Sequence, residues 1–206
     1  MITLVDYKAG NLTSVRRALD HLGIPCQISA DPDTVRRAEK VIFPGVGAAG
    51  AAMSVLRERG LDVALKEAFT AGTPILGICI GCQIILDHSE EDDTACLGLL
   101  PGKTIRFSIP NPLTHPLKIP HMGWNSVTVT RAHPLLAHLR SGNEFYFVHS
   151  FYPQPADVSQ IYAVSDYGGE FPVAIGKDNL FAVQFHTEKS GPVGLKLLEN
   201  FANWQS

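Results

Sequence analysis

Long hydrophobic runs are missing from this chain of 206 residues. The longest apolar stretch, Ile75 to Leu86, is interrupted by Gln83 and two glycines and falls short of the roughly 20 residues a bilayer-spanning helix needs. A basic excess is missing too. The 17 Lys and Arg against 20 Asp and Glu leave a net charge of −3, which argues against nucleic acid or an anionic membrane as the main partner. Cysteine is scarce: Cys26, Cys79, Cys82 and Cys96 do not make a disulfide scaffold. No second C-x-x-C and no H-x-x-x-H accompanies the Cys79/Cys82 pair, so neither a zinc site nor any other metal or cofactor is expected. No basic segment precedes the strand-like Ile2-Thr3-Leu4-Val5. A secretory signal is therefore not expected, and the cytoplasm is the expected compartment.

What is present is an ordinary globular balance, 45% hydrophobic and 18% charged residues, which excludes a disordered chain. The first half alternates between two periods. Strands are predicted at Ile2–Val5, Cys26–Ile28, Val41–Phe43 and Pro74–Ile78. Between them, Asn11 is placed to cap a helix with Leu12, Val15, Ala18, Leu19 and Leu22 on one face, and Gly23 and Pro25 stop it. Further helical sequence runs over Pro32–Glu39, over Ala48–Ala71 with a break near Gly60, and over Cys79–Leu86. Strands alternating with helices imply parallel pairing and right-handed crossovers. The second half reads as short strands, Val127–Val129, Phe145–Val148, Ile161–Val164, Val173–Ile175 and Phe181–Phe185, between Pro, Gly, Asn and Asp turns, before a last helix over Val193–Trp204. One α/β domain over residues 1–206 is expected, with a largely parallel central sheet and added antiparallel strands.

Gly77-Ile78-Cys79-Ile80-Gly81 carries the most chemistry. A G-x-nucleophile-x-G sequence between a buried strand and a helix describes a nucleophile elbow, a tight turn that lifts one side chain above the sheet's C-terminal edge. A helix N-terminus there favours a thiolate, but its contribution of at most about 2 kcal/mol leaves a free thiol only partly ionised at neutral pH, so a histidine is needed as well. Two other readings of the segment stay open. Cys79 and Cys82 could form a redox dithiol, or both could be small core residues.

The base is sought at the other end of the chain. Val183-Gln184-Phe185-His186-Thr187-Glu188 puts His186 at the end of an apolar strand, with Glu188 on the same side by period-two spacing. That gives the Cys-His-Glu order of a triad. Pro44-Gly45-Val46-Gly47 follows another strand, and its glycines allow backbone amides to turn toward an oxyanion; taken alone it is an ordinary strand-to-helix turn.

Together, Gly77-Ile78-Cys79-Ile80-Gly81-Cys82-Gln83 and Gln184-Phe185-His186-Thr187-Glu188-Lys189-Ser190 resemble the class I (triad) glutamine amidotransferases. Asp6-Tyr7-Lys8-Ala9-Gly10-Asn11-Leu12, the Pro44–Gly47 loop, Pro120-His121-Met122-Gly123-Trp124-Asn125 and Phe147-Val148-His149-Ser150-Phe151 narrow the resemblance to the glutaminase subunits of imidazole glycerol phosphate synthases. The resemblance implies a flavodoxin-like three-layer sandwich. It implies that Cys79 attacks the glutamine amide, that His186 protonates the departing ammonia and that Glu188 orients His186. It assigns the amides of Val46 and Ile80 to the oxyanion hole, and Gly47, Gln83, His149, Ser150 and Phe151 to the substrate's amino-acid end. Asn11, Trp124, Tyr146 and Lys189 are expected toward a partner, a TIM-barrel cyclase subunit that receives the ammonia. Three positions depart from the family pattern: Thr187 stands in place of the usual proline, Cys82 of the usual methionine and Ile80 of the frequent leucine. A stand-alone cysteine hydrolase or stress protein on a similar sheet, a catalytically silent binding subunit, and a glutaminase serving a different acceptor are the competing functions.

Overall fold

The computed structural model describes residues 1–8, 10–108 and 117–205; Ala9 of the first family-like segment lies outside them. The first half alternates as expected: β1 (Ile2–Val5), α1 (Leu12–His21), β2 (Cys26–Ser29), α2 (Pro32–Arg36), β3 (Lys40–Gly45), α3 (Ala49–Glu58), α4 (Leu61–Thr70), β4 (Ile75–Cys79) and α5 (Ile80–Ile84). The second half adds β5 (His88–Ser89), β6 (Thr94–Ala95), β7 (Gly102–Arg106), β8 (His121–Val129), β9 (Asn143–His149), β10 (Phe151–Pro155), β11 (Ile161–Asp166), β12 (Glu170–Lys177) and β13 (Leu180–Val183). The last helix is α6 (Gly191–Asn203).

Nine strands form the main sheet in the order β2-β1-β3-β4-β13-β12-β11-β8-β9. The block from β2 to β13 is parallel, and every pair from β13 to β9 is antiparallel. Apart from the edge strand β2, the parallel strands are buried on both faces, as crossover helices require. Alternate residues of β3 point to opposite layers: Ile42 joins the core under α1 and α6, while Val41 and Phe43 join the core under α2 to α5. This is the α/β sandwich expected from the sequence, with helices on both faces of a mixed sheet.

A second sheet, in the order β10-β7-β5-β6, was not expected. Two of its strands are two residues long, too short for any periodicity to register. The chain passes from one sheet to the other at Ser150, the single residue between β9 and β10. Other boundaries also moved. β3 takes in Pro44 and Gly45 because β4 continues to pair with it through Gly45 and Cys79. β8 begins at His121, six residues before the expected strand, since β9 pairs with it from His149 onward. α2 stops at Arg36, before the expected Glu39.

α6 is tied to the sheet by one side chain. Lys40 Nζ, at the start of β3, donates to the carbonyls of Phe201, Ala202 and Trp204 at 3.2, 2.5 and 2.6 Å. These are carbonyls of the last turn and just beyond it, where backbone donors run out, although Phe201 O also accepts the Trp204 N–H at 3.1 Å, and a cation there interacts favourably with the helix dipole. Replacing Lys40 with Met keeps the aliphatic stem and removes the donor. Urea unfolding of Lys40→Met should show a loss of about 1–3 kcal/mol; a loss within error of zero would mean that the clamp contributes nothing.

Candidate active site

The backbone of Cys79 has φ 55° and ψ −108°, a conformation costly for any residue but glycine. The surrounding glycines explain how it is held. A Cβ on Gly81 would lie 1.9 Å from the Phe43 carbonyl oxygen, and one on Gly77 would lie 2.9 Å from the Gly81 carbonyl oxygen. A Cβ on Gly45 would lie 1.8 Å from the Tyr7 hydroxyl. The turn therefore fits only because both glycines of the G-x-C-x-G pattern, and the first glycine of the Pro44–Gly47 segment, lack side chains. Burial, and secondarily Cys79, push the Tyr7 hydroxyl pKa well above its ordinary value.

The helix after the turn is shorter than the sequence suggested. It ends at Ile84 because the segment 97–100 takes its carbonyls: Leu97 N donates to Ile84 O, Leu99 N and Leu100 N to Ile85 O, and Gly98 N to Leu86 O, at 2.8–3.1 Å. A five-residue helix has a correspondingly small dipole. The two thiols also join different cores, Cys79 the one under α1 and α6, and Cys82 the one under α2 to α5. Cys82 is fully buried, and burial, then Cys79, raises its thiol pKa well above the ordinary value. The geometry thus favours a lone nucleophile over a dithiol.

His186 follows β13, the parallel neighbour of the strand that carries this thiol. The chain leaves β13 at Val183, and the His186 N–H donates to the carbonyl of Tyr146 in β9 at 2.9 Å. The antiparallel strands have curled round far enough for β9 to meet the segment after β13. His186 Nδ1 lies 2.7 Å from Glu188 Oε1, with both side chains fully buried. The expected pairing is present, but period-two spacing does not produce it: Thr187–Lys189 is a 3-10 turn, which brings Glu188 back beneath the ring. Burial alone would lower the His186 pKa; hydrogen bonding to Cys79 and Glu188 outweighs it and raises the value. Burial would likewise raise Glu188, but its bonds from His186 and Asn11 hold it below the ordinary carboxylate range. His186 Nε2 has no fully formed hydrogen bond among the described residues, a common state before substrate tightens a site.

Asn11 occupies the cap position of α1 but makes no cap bond. Its Nδ2 donates instead to Glu188 Oε1 at 2.5 Å. The residue expected to face a partner therefore also holds the acid. Trp124, Tyr146 and Lys189 gather on one face: the Trp124 and Tyr146 rings are 6.2 Å apart, and Lys189 Nζ lies 5.7 Å over the Tyr146 ring. Trp124 is 55% exposed and Met122, two residues along the same strand, 63%, so the tryptophan is no core residue.

A cavity of about 280 Å³ opens beside Cys79. Val46, Gly47, Ile80, Gln83, His149, Ser150 and Phe151, all expected at the site, line it. Glu91 lines it too and was not singled out from the sequence. It reaches the cavity because its Oε2 accepts the Ala49 N–H at the start of α3, at 2.8 Å. The only signal for it was an acidic run in a segment without periodicity. His149 reaches the cavity with its imidazole already engaged. Nδ1 donates to the Phe151 carbonyl at 2.8 Å, so Nε2 accepts, at 2.9 Å, from His121 Nδ1. His121 Nε2 then accepts from Asn125 Nδ2 at 3.3 Å. Burial lowers the His149 pKa to about 3 and that of His121 to about 4, so both rings are neutral across ordinary pH. Among the described residues, no group of three His, Cys, Asp or Glu side chains could hold a metal ion, and no helix is long and apolar enough to cross a membrane.

A family model described as "Glutamine amidotransferase class-I" matches residues 3–204, and the chain belongs to that family. It is 54% identical over 203 residues to the imidazole glycerol phosphate synthase subunit HisH of Nitratidesulfovibrio vulgaris (strain DSM 19637 / Miyazaki F), covering 98% of this chain and 95% of that one. It is 45% identical over 207 residues to the HisH subunit of Chromobacterium violaceum, covering 98% and 97%. Within the family it sits among the HisH subunits. Among solved structures, PurLQS from Thermotoga maritima matches with a TM-score of 0.75 at 19% identity, over 98% of this chain and 97% of that one, a likeness of fold.

Thr187 is buried, and its hydroxyl has no partner among the described residues. It opens the 3-10 turn, a position that suits proline, and His186 before it has the extended backbone that proline demands of its predecessor. Thr187→Pro should therefore raise stability by about 0.4–1 kcal/mol in denaturant unfolding, with activity kept. A joint collapse of stability and activity would show that the threonine makes a contact proline cannot replace.

Proposed function

We propose that this chain is the glutaminase subunit of an imidazole glycerol phosphate synthase in histidine biosynthesis, a single cytoplasmic domain over residues 1–206. It hydrolyses glutamine to glutamate and delivers the ammonia to a TIM-barrel cyclase subunit, which forms imidazole glycerol phosphate and aminoimidazole carboxamide ribotide. The observation that carries the chemistry is the buried Glu188–His186 pair, 2.7 Å long, interacting with a thiol on a strained turn at the wall of a cavity.

The Cys79 thiol proton passes to His186 Nε2 as Sγ attacks the side-chain amide carbon of glutamine, and the carbonyl electrons move onto oxygen. The amides of Val46 and Ile80 receive that oxyanion. As it collapses, the C–N bond breaks and ammonia leaves with the proton from His186 Nε2, which leaves a γ-glutamyl thioester on Cys79. Water then attacks the thioester and gives its proton to His186 Nε2; the C–S bond breaks, glutamate departs, and Nε2 returns the proton to Sγ. Glu188 keeps the proton on Nδ1, so that Nε2 serves the reaction, and stabilises the imidazolium. Gln83, Gly47 and the His149–Phe151 corner hold the substrate's amino-acid end. Glu91, the one carboxylate among the cavity's lining residues, is the natural partner of its ammonium group.

The Val46 N–H belongs to the Gly45–Val46 peptide, and Gly47 just after it has φ 108° with open space where a Cβ would stand, which leaves the segment room to turn that peptide. One oxyanion donor is worth about 10²–10³ in rate, so a partner that sets this peptide needs only about 2.7–4 kcal/mol of differential contact to activate the site. The exposed Trp124 and Lys189, with the half-buried Tyr146 beside them, supply a surface for that contact.

Cys79→Ala should abolish glutamine hydrolysis and leave the fold and partner binding intact, whereas Cys82→Ala keeps most activity. Retention of a tenth of the rate by the first variant would refute the nucleophile assignment. Trp124→Ala should weaken activation by the cyclase subunit while the isolated chain still unfolds at the wild-type temperature. The measurement is glutaminase rate against cyclase concentration, and an unchanged curve would remove Trp124 from the contact.

A further inference from the structure

We propose that Gln184 is a positioning residue that holds the Cys79 thiolate and Gln83 in register, an inference resting on the glutaminase reading above. Gln184 is fully buried beside the reacting sulfur, between the end of β13 and His186. Its orientation follows from its neighbours. The Phe151 carbonyl can only accept, so the end of Gln83 that lies 2.9 Å from it is the amino group, Nε2. The same nitrogen lies 3.0 Å from the Gln184 side chain, whose facing atom must then be the acceptor, Oε1. The Gln184 amino group is thereby turned toward Cys79, with Nε2 3.9 Å from Sγ, within reach of a donor to sulfur.

Two consequences follow for the reaction. An N–H aimed at Sγ favours the thiolate over the thiol, as any donor to the charged form does. Gln83 has both amide hydrogens engaged, so its Oε1 is the atom left to face the cavity and can only accept there. Gln184 thus sets the polarity of a residue lining the substrate cavity and the charge of the nucleophile through one carboxamide. Its backbone is fixed independently, by the Gln184 N–H donating to the Val173 carbonyl at 2.9 Å, so the side chain is not needed to hold the strand end.

The titratable groups around Cys79 are His186, with Glu188 behind it, Tyr7 and Cys82, and across the cavity Glu91 and His149. None of them is touched by substitution at 184. The test is therefore the pH dependence of iodoacetamide alkylation, read at Cys79 by peptide mass spectrometry and set beside glutamine kinetics of the complex with its cyclase. Gln184→Met keeps the volume and removes the donor and the acceptor. Gln184→Glu keeps the acceptor toward Gln83 and, once ionised, places a like charge against the sulfur. Both should move the alkylation midpoint to higher pH, the glutamate by about 1–3 units, and both should lower kcat by about 10–100-fold. Should the methionine variant not fold, the glutamate variant carries the test.

A third measurement needs no variant. In the wild-type protein, the Gln184 side-chain ¹⁵N–H₂ resonance should titrate with the Cys79 alkylation midpoint. An unchanged midpoint with kcat within twofold of wild type, or a Gln184 resonance indifferent to Cys79, overturns the proposal. A wild-type protein that fails to hydrolyse glutamine at all would overturn the glutaminase reading instead, with the alkylation profile still reporting on Gln184.

Discussion

The backbone of Cys79 sits at φ 55°, and much of the site's geometry follows from keeping it there. The turn needs Gly81 against the Phe43 carbonyl and Gly77 against the Gly81 carbonyl, so β3 and β4 must be adjacent and parallel at that level. It also needs Gly45 under the Tyr7 ring, which puts the Pro44–Gly47 segment at the edge of the same cavity. Strain of about 1–3 kcal/mol at one residue persists only where its surroundings leave it no alternative. Here three glycines and two carbonyls leave none, and the sulfur emerges at the one place His186 can reach.

His186 arrives by a different route. It lies just past the end of β13, the parallel neighbour of β4, where the curled antiparallel strands meet that segment, and is pinned by the Tyr146 carbonyl. The Cys79 turn depends on local close packing, and the placement of His186 depends also on long-range curvature. A substitution in β8 or β9 that altered the curl would move His186 while leaving Cys79 in place.

Much of this was legible in the sequence, for identifiable reasons. The elbow announces itself because its steric demands fall on five consecutive residues, Gly77 to Gly81. The parallel block was readable from alternating periods in strands such as Ile2–Val5. Strand spacing pairs Glu188 with His186, and the two side chains do meet, but through a 3-10 turn rather than an extended strand. The second sheet was missed because β5 and β6 are two residues long and β7 and β10 pair with each other across 45 to 53 positions. Glu91 and the orientation of Gln184 were missed because neither has a local pattern; each acquires its place from a partner distant in the chain, Ala49 in one case and Gln83 in the other. Asn11 looked like a helix cap because caps are local, and its side chain was claimed by a carboxylate 177 residues away.

The chain of hydrogen bonds from Asn125 through His121 and His149 to the Phe151 carbonyl has a fixed direction. Its last member can only receive, so every ring along it must hand a proton's worth of bonding inward, and the reversed arrangement would strand an acceptor against an acceptor. Two neutral imidazoles therefore behave as a one-way linkage with a single satisfied state. It begins one residue from the exposed Trp124 and ends at the oxygen that also anchors Gln83. The line joins the surface beside Trp124 to the cavity by geometry alone, and because both rings stay neutral down to about pH 4 it carries no charge across ordinary pH.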